Sequence, residues 1–77
     1  MKSDVKRMTV DKWEAIIKNK PFTLWIDELD HDPKVYMIHA GAGGDRYSLL
    51  LEKKKPSREE AEQRFVNHKG FLEQFGL

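Results

Sequence analysis

Cysteine is absent from the 77-residue sequence. Neither a disulfide framework nor a thiolate-held metal site can therefore supplement the core. Long apolar runs are missing too, since nothing approaches the roughly 18–20 consecutive apolar residues that a membrane-spanning helix needs. The opening MKSDVKRMTV carries charge early and has no apolar stretch of the kind a secretory leader requires. These absences lead to the expectation of a soluble, cytoplasmic protein. An excess of one charge is missing as well. The formal net charge is +1 with 35% of residues charged, and the isoelectric point is about 8.0, whereas dedicated nucleic-acid-binding domains run above about 9. Bulk charge names no partner; only a local patch can.

What is present amounts to one domain, residues 1–77, with 1–8 expected to fray. A chain this short buries only about 60–65% of its unfolded surface, so its core is thin. In MTVDKWEAIIKNKP, Thr9 fits an N-cap, Asp11 sits in the first turn where the helix dipole favours a carboxylate, and Met8 and Trp13 have the spacing of a hydrophobic staple. Trp13, Ile16 and Ile17 form an apolar stripe that Pro21 ends, which predicts a helix over about 10–19. FTLWIDEL, VYMIHA and RYSLLLEK, rich in β-branched and aromatic residues and separated by turn-forming DHDPK and GAGGD, read as three strands. Ser57-Arg58-Glu59-Glu60 is a capping box behind Pro56. Ala61, Phe65, His68 and Leu72 follow on one helical face, with Gly70 near the C-terminal end. The expected fold is α+β and two-layered, in the order α-β-β-β-α. Its three-stranded antiparallel sheet carries both helices on one face.

The glycine-rich GAGGD, Gly41 to Asp45, invites comparison with phosphate-cradling loops. Such loops need a following Lys or a third Gly at fixed offset, and a helix N-terminus to hold the anion. Here a strand follows, so the stretch reads as a hairpin bend using Gly for positive φ. The acidic turn DELDHDP lacks the spacing of a calcium loop. His31, His39 and His68 fall on three different elements. Ser48 has no base beside it along the chain, and nucleophilic catalysis requires one. No enzyme, metal or cofactor is expected.

A sheet covered on one side leaves the other side bare. With Phe22, Leu24 and Ile26 facing the helices, Trp25 must point to the open face, because side chains alternate along a strand. The second strand contributes either Val35, Met37 and His39 or Tyr36, Ile38 and Ala40 to that face. The latter set is expected there, and the third strand adds Leu50. Trp25, Tyr36, Ile38 and Leu50, with Asp27 and Glu28 at the rim, thus form a candidate protein-binding surface of the size that small monomers rarely expose without use. The function expected is a small binding module, an adaptor or inhibitor, engaging a protein or a second copy of itself.

The element order, with DHDPKVYMIHAG and LLLEKKKPSREEAEQRF, resembles the double-stranded RNA-binding domain over about residues 9–70. That resemblance implies that His31 would reach a minor groove and that Lys53, Lys54 and Lys55 would approach phosphates. Arg46 and Arg58 extend the same basic corner. This is the alternative function, RNA binding. Against it, the helix opens Ser57-Arg58-Glu59-Glu60 where the family has lysines, and carboxylates flank His31.

Overall fold

The computed structural model describes residues 6–51 and 53–77. Among the described residues four strands, β1 (Arg7–Ile17), β2 (Lys20–Leu29), β3 (Val35–Ala42) and β4 (Asp45–Leu51), are followed by two short helices, α1 (Arg58–Val66) and α2 (Lys69–Gln74). The strands form one antiparallel meander in the order β1-β2-β3-β4. The class is α+β, with an antiparallel sheet and two helices, but the sheet has four strands, and both helices come from the C-terminal segment.

The segment expected to be a helix over 10–19 is the edge strand β1, which corrects the helix-first element order. Lys18 and Asn19 adopt left-handed φ values of 53° and 66°, and this two-residue turn folds β1 back on β2. Trp13 and Ile17 then point inward and are buried, whereas Ile16 is 73% exposed. A bulge at Val10 shifts the β1–β2 register between Thr9 and Asp11. Of the end expected to fray, residues 1–5 lie outside the described residues, and Arg7 and Met8 open β1.

GAGGD is a hairpin bend, as expected: Gly43 and Gly44 have φ of 59° and 87° between β3 and β4. A side chain at either position meets no neighbour, so a substitution there tests backbone conformation alone. Gly44→Ala should destabilise the protein by about 1–2 kcal/mol, measured by urea denaturation; an unchanged midpoint would mean that the turn tolerates negative φ.

The capping box also forms. Ser57 Oγ accepts from the Glu60 amide and the Glu60 carboxylate accepts from the Ser57 amide. The single helix expected beyond it is split at Asn67–His68, where His68 leaves the helical path and caps α2. Ala61, Phe65 and Phe71 pack on the inner sheet face against Trp13, Ile17, Phe22, Leu24, Ile26, Ile38 and Ala40. Phe71 lies at the centre of this layer, with ring centroids 4.8 Å from Phe65 and 5.2 Å from both Phe22 and Phe75. A polar clamp fixes α1 to β1: Arg58 donates twice to the Asp11 carboxylate, and Trp13 Nε1 donates to Glu62 at 2.8 Å. Hydrogen bonding from Arg58 holds the Asp11 carboxyl below the ordinary carboxylate range. No helix among the described residues is long and apolar enough to cross a membrane.

Candidate functional site

Register decides which side chains reach the helix-free face. Ile26 pairs with Ile38 and Leu24 with Ala40, so Tyr36, Ile38 and Ala40 share the inner face. This corrects the placement of Tyr36 and Ile38 on the open face. Ile38 is core, and Tyr36 packs beside the core. Glu28 also lies on the inner side, at the end of β2, where Lys34 bridges to it. Trp25 and Leu50 do point to the open face, and Leu50 is 68% exposed. Met37 stands between them, paired with Leu50 and with Asp27.

The centre of the open face is polar and buried. One row across the sheet runs Lys12, Trp25, His39, Ser48; the next runs Thr9, Asp27, Met37, Leu50. Trp25 lies across its neighbours. Its ring stacks on His39 at a centroid separation of 4.9 Å and an interplanar angle of 18°. It also approaches Gly41 so closely that a Cβ there would stand 3.4 Å from Cζ3. Under this cover His39 is 1% exposed and Asp27 is 3% exposed, although no helix packs above them. Asp27 was expected at a rim; it is instead buried, between Thr9 of β1 and His39 of β3.

A chain of polar groups spans the four strands. Thr9 Oγ1 donates to Asp27 Oδ1 at 2.7 Å. Asp27 Oδ2 stands 2.9 Å from His39 Nε2, although off the line along which an N–H bond would aim, so this ring nitrogen has no well-directed acceptor. His39 Nδ1 lies 2.7 Å from Ser48 Oγ. The Arg7 guanidinium, 3.9 Å from Asp27 Oδ2, supplies the nearby positive charge from β1. Burial lowers the His39 pKa below the ordinary 6.5, overcoming the opposite pull of Asp27, and the cations Arg46 and Arg7 lower it further.

The basic candidates are only partly brought together. Lys53, Lys54 and Lys55 are exposed in the connection between β4 and α1. The loop bearing His31 leaves the same end of the sheet, because β2 and β4 both run toward it. The exposed His31 ring is turned back to the Pro33 carbonyl at 3.1 Å. Arg46 sits at the opposite end, five residues up β4 from Leu51, or about 17 Å along a strand. Arg58 is occupied by Asp11 and stacks over Trp13 at 5.1 Å. His68 is on the helix side, bonded to the Tyr47 hydroxyl at 3.0 Å. Among the described residues no three His, Asp or Glu side chains converge where a metal ion could be held.

Reading along the chain missed the pairing of Ser48 with His39, although a signal for it was present. A two-residue turn at Gly43–Gly44 fixes the hairpin register, and that register sets residue 39 opposite residue 48. Compared with protein-family models, with curated proteins and with solved structures, the chain matches none.

Proposed function

We propose that the chain is a small binding module whose protein partner docks on the helix-free sheet face. The exposure of Leu50, in line with Met37 on the face that also carries Trp25, is the observation that carries this reading. Burying such side chains against a partner removes apolar surface from water, and large aromatic anchors at the centre of a patch dominate binding energies. The buried Asp27–His39 pair beneath Trp25 supports the same surface by holding the indole flat rather than letting it swing.

Capture with tagged wild-type protein, followed by titration of the purified partner, tests it. Leu50→Asp, an exposed position, should weaken binding by about 2 kcal/mol or more, while Lys69→Ala on α2 should bind as wild type. Equal affinity of Leu50→Asp and wild type would move the interface elsewhere.

A second reading, nucleic-acid binding, is favoured by the exposure of Lys53, Lys54 and Lys55 at the end of the sheet that also carries the His31 loop. Phosphate-driven binding of labelled duplex RNA would fall steeply between about 50 and 200 mM salt and would be lost on changing these lysines to glutamate. Absence of binding to duplex RNA, duplex DNA and single strands would leave the protein-docking face alone.

A further inference from the structure

We propose that Ser48 is an activated nucleophile that takes an acyl group from carboxylic esters with a good leaving group, with His39 as its general base and Asp27 as the group that positions the imidazole. This goes beyond binding on the same face and does not depend on it.

Three adjacent strands supply the three residues in sequence across the sheet: Asp27 from β2, His39 from β3, Ser48 from β4. Hydrogen-bond logic sets the tautomer. Were the ring proton on Nδ1, the Nε2 lone pair would face the Asp27 carboxylate at 2.9 Å, two acceptors opposed in a buried site. With the proton on Nε2, that repulsion becomes attraction, and the Nδ1 lone pair is free to accept the Ser48 hydroxyl at 2.7 Å. This is the state a general base needs: a neutral imidazole, with a carboxylate close behind it and its open nitrogen on the nucleophile. The two ring nitrogens exchange places relative to the serine-protease arrangement, and either nitrogen is chemically competent. Burial keeps the imidazole neutral near pH 7, so the base is available without prior deprotonation.

Access differs along the chain of groups. Asp27 and His39 are buried, with Trp25 over the ring, whereas Ser48 is exposed on β4, the edge of the sheet among the described residues. An ester, and later a water, can therefore reach the base only at the edge where Ser48 Oγ meets His39 Nδ1. Leu50 and Arg46 flank Ser48 on the same strand face. Leu50 offers apolar surface to a short acyl chain, and Arg46 is the cation on β4 to which the oxyanion of a tetrahedral adduct can turn.

The step balances without a further reactant. Ser48 Oγ bonds to the ester carbonyl carbon while its proton passes to His39 Nδ1. The carbon–oxygen bond to the leaving group breaks, and that oxygen takes the proton from His39. The products are acyl-Ser48 and the free alcohol or phenol. Hydrolysis reverses the roles: water loses a proton to His39 as it attacks the acyl carbon, and Ser48 Oγ recovers that proton.

The test uses the whole chain and p-nitrophenyl acetate. The expected result is release of one equivalent of nitrophenolate in a burst, with one acetyl group located on Ser48 by peptide mass spectrometry. Ser48→Ala, a change at an exposed position, should abolish both. His39→Gln should slow acylation by about 100-fold, the scale of general-base assistance. Because a buried His variant can fail to fold, the wild-type pH profile provides an independent readout. The groups facing the ring are Asp27 from β2, Arg7 from β1 and Arg46 from β4. The rate should rise through a midpoint below 6.5 and then level, whereas an unassisted hydroxyl would climb continuously with pH. For Asp27 as a positioning residue, Asn in its place should lower the plateau by about 10-fold or more with the fold retained, since an amide can stabilise the unproductive tautomer. Acetyl groups found on lysines alone and equally in Ser48→Ala, or a rate without a plateau, would overturn the proposal.

Discussion

Replacing Phe71 with Ala is expected to destabilise the protein by about 3–5 kcal/mol, a large share of the stability of a domain this small. Phe71 is fully buried and is the ring through which the helical layer meets the sheet. It contacts Phe65 of α1, Phe22 of β2, Phe75 beyond α2 and, at 6.0 Å, Tyr47 of β4. Truncation removes the burial of an aromatic side chain and leaves a cavity that four rings cannot close without moving off their rotamers. The whole stability of a small domain is about 5–15 kcal/mol, and without disulfides this one sits toward the lower end. Each kcal/mol corresponds to about 4–8 °C of melting temperature in a chain of this size. Thermal unfolding followed by circular dichroism should thus show a drop of about 15 °C or more, with Phe75→Ala, at a partly buried position, losing less. A drop under about 5 °C for Phe71→Ala would mean that the helices are held to the sheet elsewhere, through the Arg58–Asp11 and Trp13–Glu62 clamp.

The parts of the fold that local chemistry determines were legible in the sequence. The capping box at Ser57 and the Gly43–Gly44 bend depend on residues three or fewer positions apart, and both form as expected. The first element was not legible for the same physical reason in reverse. Trp13, Ile16 and Ile17 fit a helical stripe, but Trp13, Ala15 and Ile17 fit a strand equally well, and periodicity over so short a run cannot separate the two. The choice is made by pairing with β2, a tertiary interaction, and by Lys18 and Asn19 adopting a turn that neither residue announces strongly. Pro21, read as a helix stop, instead stands near the start of β2 opposite Ile16.

The site shows the same division. Trp25 and Leu50 were placed on the open face by alternation from a clearly apolar inner set. The phase of β3 was ambiguous, because Val35 and Met37 are about as apolar as Tyr36 and Ile38, and burying His39 looks costly until Asp27 and Ser48 are beside it. Ser48 opposite His39 follows from a two-residue turn. Asp27 beside His39 requires the register across the loop from Asp30 to Lys34, where no tight turn sets the pairing.

Removal of the Asp27 carboxylate should be the largest single-site effect on the open face. In Asp27→Ala, the buried His39 loses the carboxylate 2.9 Å from its Nε2, and the exposed Thr9 hydroxyl loses its acceptor. Loss of a hydrogen bond to a charged group costs about 1.5–3 kcal/mol, and the loss should depend on pH with a definite sign. In the wild type the His39 pKa is below its ordinary 6.5 because burial disfavours the imidazolium, while Asp27 acts in the opposite direction. Between the folded value and 6.5 the unfolded chain binds more protons than the folded one, so this contribution to stability is full above 6.5 and is lost as pH falls through the folded value. Without Asp27 the imidazolium has no anion beside it. The folded value drops further, and the window over which stability is lost widens toward acid. The deficit of Asp27→Ala relative to wild type should therefore grow as pH falls below the folded value of the wild-type His39, in urea titrations. Parallel curves for the two proteins would show that His39 does not feel this carboxylate, and would remove the electrostatic basis on which Asp27 is assigned to hold the ring.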